Sequence, residues 1–352
     1  MRQNLYGMSL GEIGEVLAPL TDRPFHARQL YGWIHARGER DFSRMSNLPR
    51  PLRSALAERY RIALPETETR QKSRDGTVKF LLRLEDGKAV EAVGIPDRGR
   101  ITFCISSQIG CALGCTFCLT GKMGLVRNLT PGEILGQVAI LAAEHHLSAN
   151  EYNLVFMGMG EPLHNYDNVL AAFRILSDPE GFGIAARHIT LSTAGVIPGL
   201  QRLAKEKSRP RIAVSLSATT DRVRDGLMPV NRAYPLAALF ETLRGIPLAP
   251  RERITLEYVM LRRINDSVED ASRLATLAGK LPVKVNLIPY NEASVQGYAP
   301  PPAAAEKAFR DLLLARGVRA SIRRRRGADI SAACGQLAIL DERTLQHPVP
   351  VS

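Results

Sequence analysis

Cys111-Ala112-Leu113-Gly114-Cys115-Thr116-Phe117-Cys118 follows a β-rich run, Ile101 to Ser106, and sets three cysteines at C-x3-C-x2-C spacing on one short loop. Three thiolates so placed can each hold one iron of a [4Fe–4S] cluster and leave the fourth iron open to a ligand. A structural zinc site wants a fourth ligand and usually two separated C-x2-C pairs. Cys104 is the nearby thiol for that role, but it falls inside the candidate strand, seven residues before Cys111. The spacing favours a cluster over zinc.

Outward from this loop the pattern repeats as strand, loop, helix. Further strand-like runs are Tyr152 to Met157, His188 to Ser192, Ile212 to Ser217, Ile254 to Met260 and Val283 to Pro289. Helical stretches separate them, such as the one opened by Thr130-Pro131-Gly132-Glu133, a capping box with proline at the first helical position. Six β/α units predict an α/β fold on a parallel sheet, either doubly wound or an incomplete barrel. Both put functional loops at the carboxyl ends of the strands.

Upstream, Val78 to Leu84 and Ala89 to Ile95 flank Asp86-Gly87, a strong hairpin signal. Before that, Ser9 with Glu12 forms a capping box. Leu30, Trp33 and Ile34 share a helical face between Pro24 and Gly38, and a further helix is expected around Leu52 to Tyr60. Arg23, Arg28, Arg37, Arg40, Arg50 and Arg53 stud this helical module. They read either as an RNA-contacting surface or as a solvated basic face.

The 352 residues carry 47 Lys+Arg against 35 Asp+Glu, a net charge of +12. Such an excess favours a polyanionic partner, foremost nucleic acid. Hydrophobic residues at 45% and charged ones at 23% exclude a disordered, collagen-like or coiled-coil chain. No apolar run approaches the roughly 20 residues that span a bilayer, and the first residues do not open a signal-type segment, so a soluble cytoplasmic protein is expected. Five cysteines, four of them between Cys104 and Cys118, are too few for a disulfide-stapled secreted fold.

The triplet resembles the signature of radical S-adenosylmethionine (SAM) enzymes, whose core is a partial (β/α)6 barrel with the cluster on the loop after the first strand. The likeness extends to Cys104 to Cys111 (CISSQIGC), Phe156 to Pro162 (FMGMGEP), Asn286 to Asn291 (NLIPYN) and Asp329 to Leu337 (DISAACGQL). These motifs, in this order, are similar to those of the RlmN family, bacterial ribosomal and transfer RNA adenine carbon-2 methyltransferases. The resemblance covers nearly the whole chain. It implies a small helical accessory domain at 1–75, a β-hairpin linker at 76–96, a radical-SAM core at 97–327 and a C-terminal segment at 328–352 that carries Cys334.

Residue by residue, the resemblance implies that Cys111, Cys115 and Cys118 bind one [4Fe–4S] cluster, whose open iron chelates the amino and carboxylate groups of SAM. Gly160, Glu161, Ser192, Ser215, Leu216, Ser217 and Asn291 match SAM-contacting positions. Each short polar residue among them also reads as one satisfied by a backbone partner.

The resemblance further implies an indirect chemistry that consumes two SAM per turnover. Carbon 2 of adenine offers no lone pair, so Cys334 first accepts a methyl group. A radical from a second SAM takes a hydrogen from it, and the methylene radical adds to the base. Cys104 then resolves the adduct through a transient disulfide with Cys334. Glu91 matches the family's proton acceptor, and either Glu91 or the Cys104 thiolate could take the carbon-2 proton. Arg323 to Arg326, close to Cys334, are expected to meet phosphate.

The implied partners are 23S rRNA before full ribosome assembly, transfer RNA and a reducing donor such as flavodoxin, with the enzyme a monomer away from membranes. The rival reading within the class is the related carbon-8 methyltransferase of the antibiotic-resistance type. Outside it, a non-catalytic iron–sulfur or zinc RNA-binding protein would fit the charge and the cysteine loop but leave Cys334 and Glu91 without a purpose.

Overall fold

A computed structural model of the chain describes residues 2–97, 99–291, 295, 297–323, 325–333 and 335–337. The amino-terminal module forms as its caps dictate. Ser9 Oγ accepts the Glu12 N–H and the Glu12 carboxylate accepts the Ser9 N–H, opening α1 (Leu10–Leu17) with Ile13 and Leu17 buried. The next helix, α2 (Phe25–Tyr31), widens into a π-helical turn at Gly32–Ala36. Leu30 and Ile34 point inward as expected, whereas Trp33 stays half-buried, with Arg37 stacked 4.1 Å over its ring. In α3 (Arg50–Arg59) Leu52 and Leu56, one turn apart, fill the module's core. Parallel pairing of β1 (Gln3–Asn4) with β2 (Tyr60–Arg61) brings the module's two ends together.

The module seats on the rest of the chain by close backbone approach. A methyl group on Gly7 (φ +93°) would lie 2.3 Å from the Gly132 nitrogen, so neither side chain can grow there. Tyr31 Oη donates to Asp178 at 3.1 Å, and Arg28 pairs with Glu180 at 3.1 Å.

The hairpin forms around Asp86-Gly87, with β4 (Val78–Arg83) antiparallel to β5 (Ala89–Asp97). It is continuous with the main sheet: β5 pairs with β6 (Arg100–Ile105), and β4 is flanked by β3 (Glu66–Lys72). β3 is polar and exposed along its whole length, so no alternation marked it in the sequence.

β6 is followed by a small two-stranded sheet, β7 (Gln108–Cys111) against β8 (Gly124–Asn128), which frames the cysteine loop and the short α4 (Leu119–Lys122). Then come α5 (Pro131–His145), β9 (Tyr152–Phe156), α6 (Tyr166–Ser177), β10 (Ile189–Thr193), α7 (Ile197–Ala204) and β11 (Arg211–Ser215). After these follow α8 (Asp221–Leu227), α9 (Leu236–Arg244), β12 (Ile254–Met260), α10 (Val268–Ala278), β13 (Val283–Pro289), α11 (Ala303–Ala315) and β14 (Ala320–Ile322).

Among the described residues the main sheet has ten strands in the order β3-β4-β5-β6-β9-β10-β11-β12-β13-β14. From β6 to β14 every pair is parallel and the order follows the chain. A doubly wound sheet would reverse its order at a switch point, so this is the barrel alternative. Among the described residues β3 and β14 do not pair with each other, and the barrel is incomplete. Alternate residues of β9 and β10 are fully buried and half-buried. Apolar residues of the buried set join helix residues such as Val138, Phe173 and Leu200 in one core, and Ser192 of the other set lines the interior cavity. Among the described residues no helix is long and apolar enough to cross a membrane.

Candidate active site

The interior cavity, about 170 Å³, opens at the carboxyl ends of the parallel strands. Cys111 ends β7, Cys118 precedes α4, and Cys115 lies between them; all three line the cavity. Burial pushes the Cys111 thiol up to about 12, and burial raises the Cys115 thiol further still. Without a cation these thiols keep their protons, and iron would take them as thiolates. Among the described residues no three His, Cys, Asp or Glu side chains converge on a single metal ion. Three thiols on one short loop that line one cavity suit a polynuclear cluster, one sulfur per iron.

Opposite the thiols, Gly160 and Glu161 form the turn after β9. Gly160 has φ +99°, and a methyl group there would lie 2.5 Å from Gln108 Cβ. Only glycine lets the turn press against β7, where Gln108 Oε1 accepts the Glu161 N–H at 2.8 Å. The Glu161 carboxylate is buried in the cavity wall and accepts the backbone N–H groups of Ala194 (2.8 Å) and Leu163 (3.0 Å). Burial raises it to about 7 against those bonds.

Ser192, Ser215, Ser217 and Asn291 also line the cavity. Leu216 does not: its side chain is fully buried elsewhere, and its backbone binds Glu257 and Arg224. Sequence reasoning gave no role to Arg224, whose fully buried guanidinium donates to the carbonyls of Ala194, Ser215 and Leu216. It ties together the ends of β10 and β11 that carry the serines. Nor did it find Glu257, a buried carboxylate of β12 in the cavity wall. A single charge in an apolar strand gave the only signal.

Cys104, buried in β6, lines a second cavity of about 30 Å³ together with Asn291, Arg323, Arg325 and Arg326. Met157, Ile288, Pro289, Asn291, Arg323 and Leu337 border both cavities, which share a wall. Arg324 and Cys334 lie outside the described residues. The chain beside Cys334 is placed: Ala332 and Ala333 line the Cys104 cavity, and Gly335 and Leu337 line the thiol cavity. The Leu119 N–H donates to the Gly335 carbonyl at 2.9 Å, and Thr120 Oγ1 to that of Leu337 at 2.5 Å, which fixes this segment on the cysteine loop. Glu91 lines neither cavity; it is buried in β5 and paired with Lys79 at 2.8 Å.

Comparison with known families matches residues 105–275 to the radical SAM superfamily and residues 3–62 to the ribosomal RNA large subunit methyltransferase N-terminal domain. Among curated relatives, a dual-specificity RNA methyltransferase RlmN from Anaeromyxobacter dehalogenans is 50% identical over 93% of this chain and 89% of its own length. One of the same name from Syntrophotalea carbinolica is 48% identical over 96% of this chain and 90% of its own. A solved radical SAM methyltransferase from Sphaerobacter thermophilus superposes with a TM-score of 0.87 at 40% identity, covering 95% of this chain and 99% of that one.

Proposed function

The chain belongs to the RlmN family of dual-specificity RNA methyltransferases, and from that premise we propose that it methylates carbon 2 of adenosine in 23S rRNA and in transfer RNA. It is a radical-SAM RNA methyltransferase that uses one [4Fe–4S] cluster and two SAM per turnover. Cys111, Cys115 and Cys118 would hold the cluster, and Glu161, Ser192, Ser215, Ser217 and Asn291, which line the same cavity, would contact SAM. Leu216 contributes only through its backbone. Together the two groups supply an electrophilic methyl and, after one-electron reduction, a hydrogen-abstracting radical.

The protein's own chemistry is carried by two thiols. The Cys334 thiolate takes a methyl group, forming an S–C bond as the sulfonium–methyl bond breaks, and presents that carbon to the base. The methyl would give up one hydrogen atom to that radical, its carbon would bond to carbon 2, and the adduct would then lose one electron, which the cluster would accept, and the carbon-2 proton, which Glu91 or Cys104 removes. The Cys104 thiolate then attacks the Cys334 sulfur: the S–S bond forms, the S–C bond breaks, and the methyl carbon stays on the base with the electron pair and gains a proton. Two electrons from a thiol reductant reopen the disulfide.

The shared wall between the thiol-lined cavity and the Cys104 cavity is the observation that carries this reading. It supports cofactor on one side and target nucleotide on the other. Arg323, Arg325 and Arg326 supply positive charge for the nucleotide's phosphates. Arg40 and Arg50 of the amino-terminal module make no ion pair among the described residues and extend the RNA contact. The enzyme works as a cytoplasmic monomer on rRNA before full ribosome assembly, with a donor such as flavodoxin supplying single electrons.

The test is anaerobic turnover of a defined 23S rRNA fragment by iron-reconstituted protein with SAM and reductant, followed by nucleoside mass spectrometry. 2-Methyladenosine is expected. 8-Methyladenosine would move the enzyme to the carbon-8 class, and unmethylated RNA would overturn the reading.

A further inference from the structure

Glu257 sits in the middle of β12, where the parallel registers place it beside Ser215 of β11 and Asn286 of β13, with Ser321 of β14 beyond. Laterally adjacent residues of a sheet point to the same face, so these four make one polar row. The row faces the cavity, since Ser215 and Glu257 line it, as do Ser217 and Val259 two residues further on. The row is built to hold the carboxylate. Ser321 Oγ donates to Asn286 Oδ1 at 3.5 Å, which turns the Asn286 amide so that Nδ2 donates to Glu257 Oε2 at 2.9 Å.

A carboxylate withdrawn from water is destabilised unless a charge or ligand compensates it. Burial raises the pKa of Glu257, and the nearby Arg323 charge opposes that. The charged groups among the described residues lining this cavity are Glu161, Glu257 and Arg323. Two carboxylates against one guanidinium leave a formal charge of −1 when both acids are ionised, in a space walled by apolar residues such as Phe156, Met228 and Ile288. Such a cavity attracts a cation.

SAM carries one at its sulfonium; S-adenosylhomocysteine, left when the first methyl has gone to Cys334, has a neutral sulfur and the same nucleoside and amino-acid ends. A two-SAM turnover needs the spent molecule to leave so that a fresh one can bind. We propose that Glu257 is a specificity residue of the cofactor site, which makes the cavity select cationic SAM over neutral S-adenosylhomocysteine. The proposal rests on the SAM-dependent reading above. A unit charge within about 10 Å, at an effective dielectric constant of about 20, changes affinity for a cation by on the order of tenfold.

Calorimetric titration of the anaerobic, cluster-loaded enzyme with SAM and separately with S-adenosylhomocysteine, at pH 8, gives the ratio of the two dissociation constants. Glu257→Gln, which keeps shape and the Asn286 contact, should lower the preference for SAM by on the order of tenfold. Arg323→Met removes the opposing charge and should raise it. Opposite shifts from the two variants are not the signature of loosened packing. Equal weakening of both ligands by Glu257→Gln, or an unchanged ratio, would overturn the proposal and reduce Glu257 to a contact common to the two molecules. Wild-type protein that binds neither ligand would instead overturn the SAM-dependent reading itself.

Discussion

Lys79 Nζ lies 2.8 Å from the Glu91 carboxylate, with the two side chains 12% and 7% exposed. The same ammonium donates to the carbonyl of Ser331 at 3.3 Å, three residues before Cys334. Cys104 is paired in register with Val93, and Val93 shares its strand face with Glu91, so Glu91 and Cys104 point to one side of the sheet. One lysine thus joins the proposed proton acceptor to the segment that carries the proposed methyl acceptor.

Replacing Lys79 by Met would strand a buried carboxylate. Breaking such a pair from one side costs about 3–5 kcal/mol, so the denaturant midpoint of Lys79→Met should fall well below wild type. Adding Glu91→Gln should recover most of the loss while leaving methylation impaired. A single variant as stable as wild type would show that the pair contributes nothing.

His35 gives a pH dependence. Its ring is buried against Tyr6, Tyr31 and Phe182, Nε2 faces the Met8 carbonyl at 3.1 Å, and Nδ1 has no hydrogen-bond partner among the described residues. Burial lowers its pKa from 6.5 to about 4. Between those values the unfolded chain binds a proton that the folded one refuses, so stability falls as pH drops from about 6.5 to 4, by on the order of 3 kcal/mol. Denaturation of wild type and His35→Phe across this range should show a shallower acid loss in the variant. Parallel curves would exclude His35 as the source.

Iron content tests the thiol loop. Protein purified without oxygen should be brown, and the triple variant of Cys111, Cys115 and Cys118 to alanine should lose both its iron and SAM cleavage. Stoichiometric iron in that variant would place the cluster elsewhere.

The arginines bordering the Cys104 cavity predict a salt effect. The logarithm of RNA affinity should fall with log salt by about 0.7–0.9 per phosphate neutralised. Arg325→Ala with Arg326→Ala should flatten that slope by one to two such steps. An unchanged slope would make these residues a solvated surface, with Arg326 serving only its 3.6 Å pair with Asp97.

The parallel strands were legible in the sequence because each is an apolar run bounded by turn residues; β12 and β13 fall on the expected residues, and the others shift by one or two. Both capping boxes were legible for the same local reason, a short side chain three residues from a glutamate. What sequence hid depends on contacts across the fold. β3 is a strand because β4 offers it an edge, and its own residues are polar throughout. Glu257 lines the cavity, and Arg224 ties the strand ends beside it, only because neighbouring strands and loops close around them. Glu161, Ser192, Ser215, Ser217 and Asn291, far apart in sequence, line one cavity, whereas Leu216 turns away from it and Cys104 belongs to the adjoining cavity.

The division of labour between the two thiols is tested most directly by the Cys104→Ala variant, incubated anaerobically with SAM, reductant and the 23S rRNA fragment and run on a denaturing gel. Without Cys104 the methyl carrier can load and join the base, and nothing can release it. The account predicts an RNA-shifted protein band that is absent when Cys334 is also replaced. Normal turnover by Cys104→Ala, or methylated adenosine from Cys334→Ala, would contradict it.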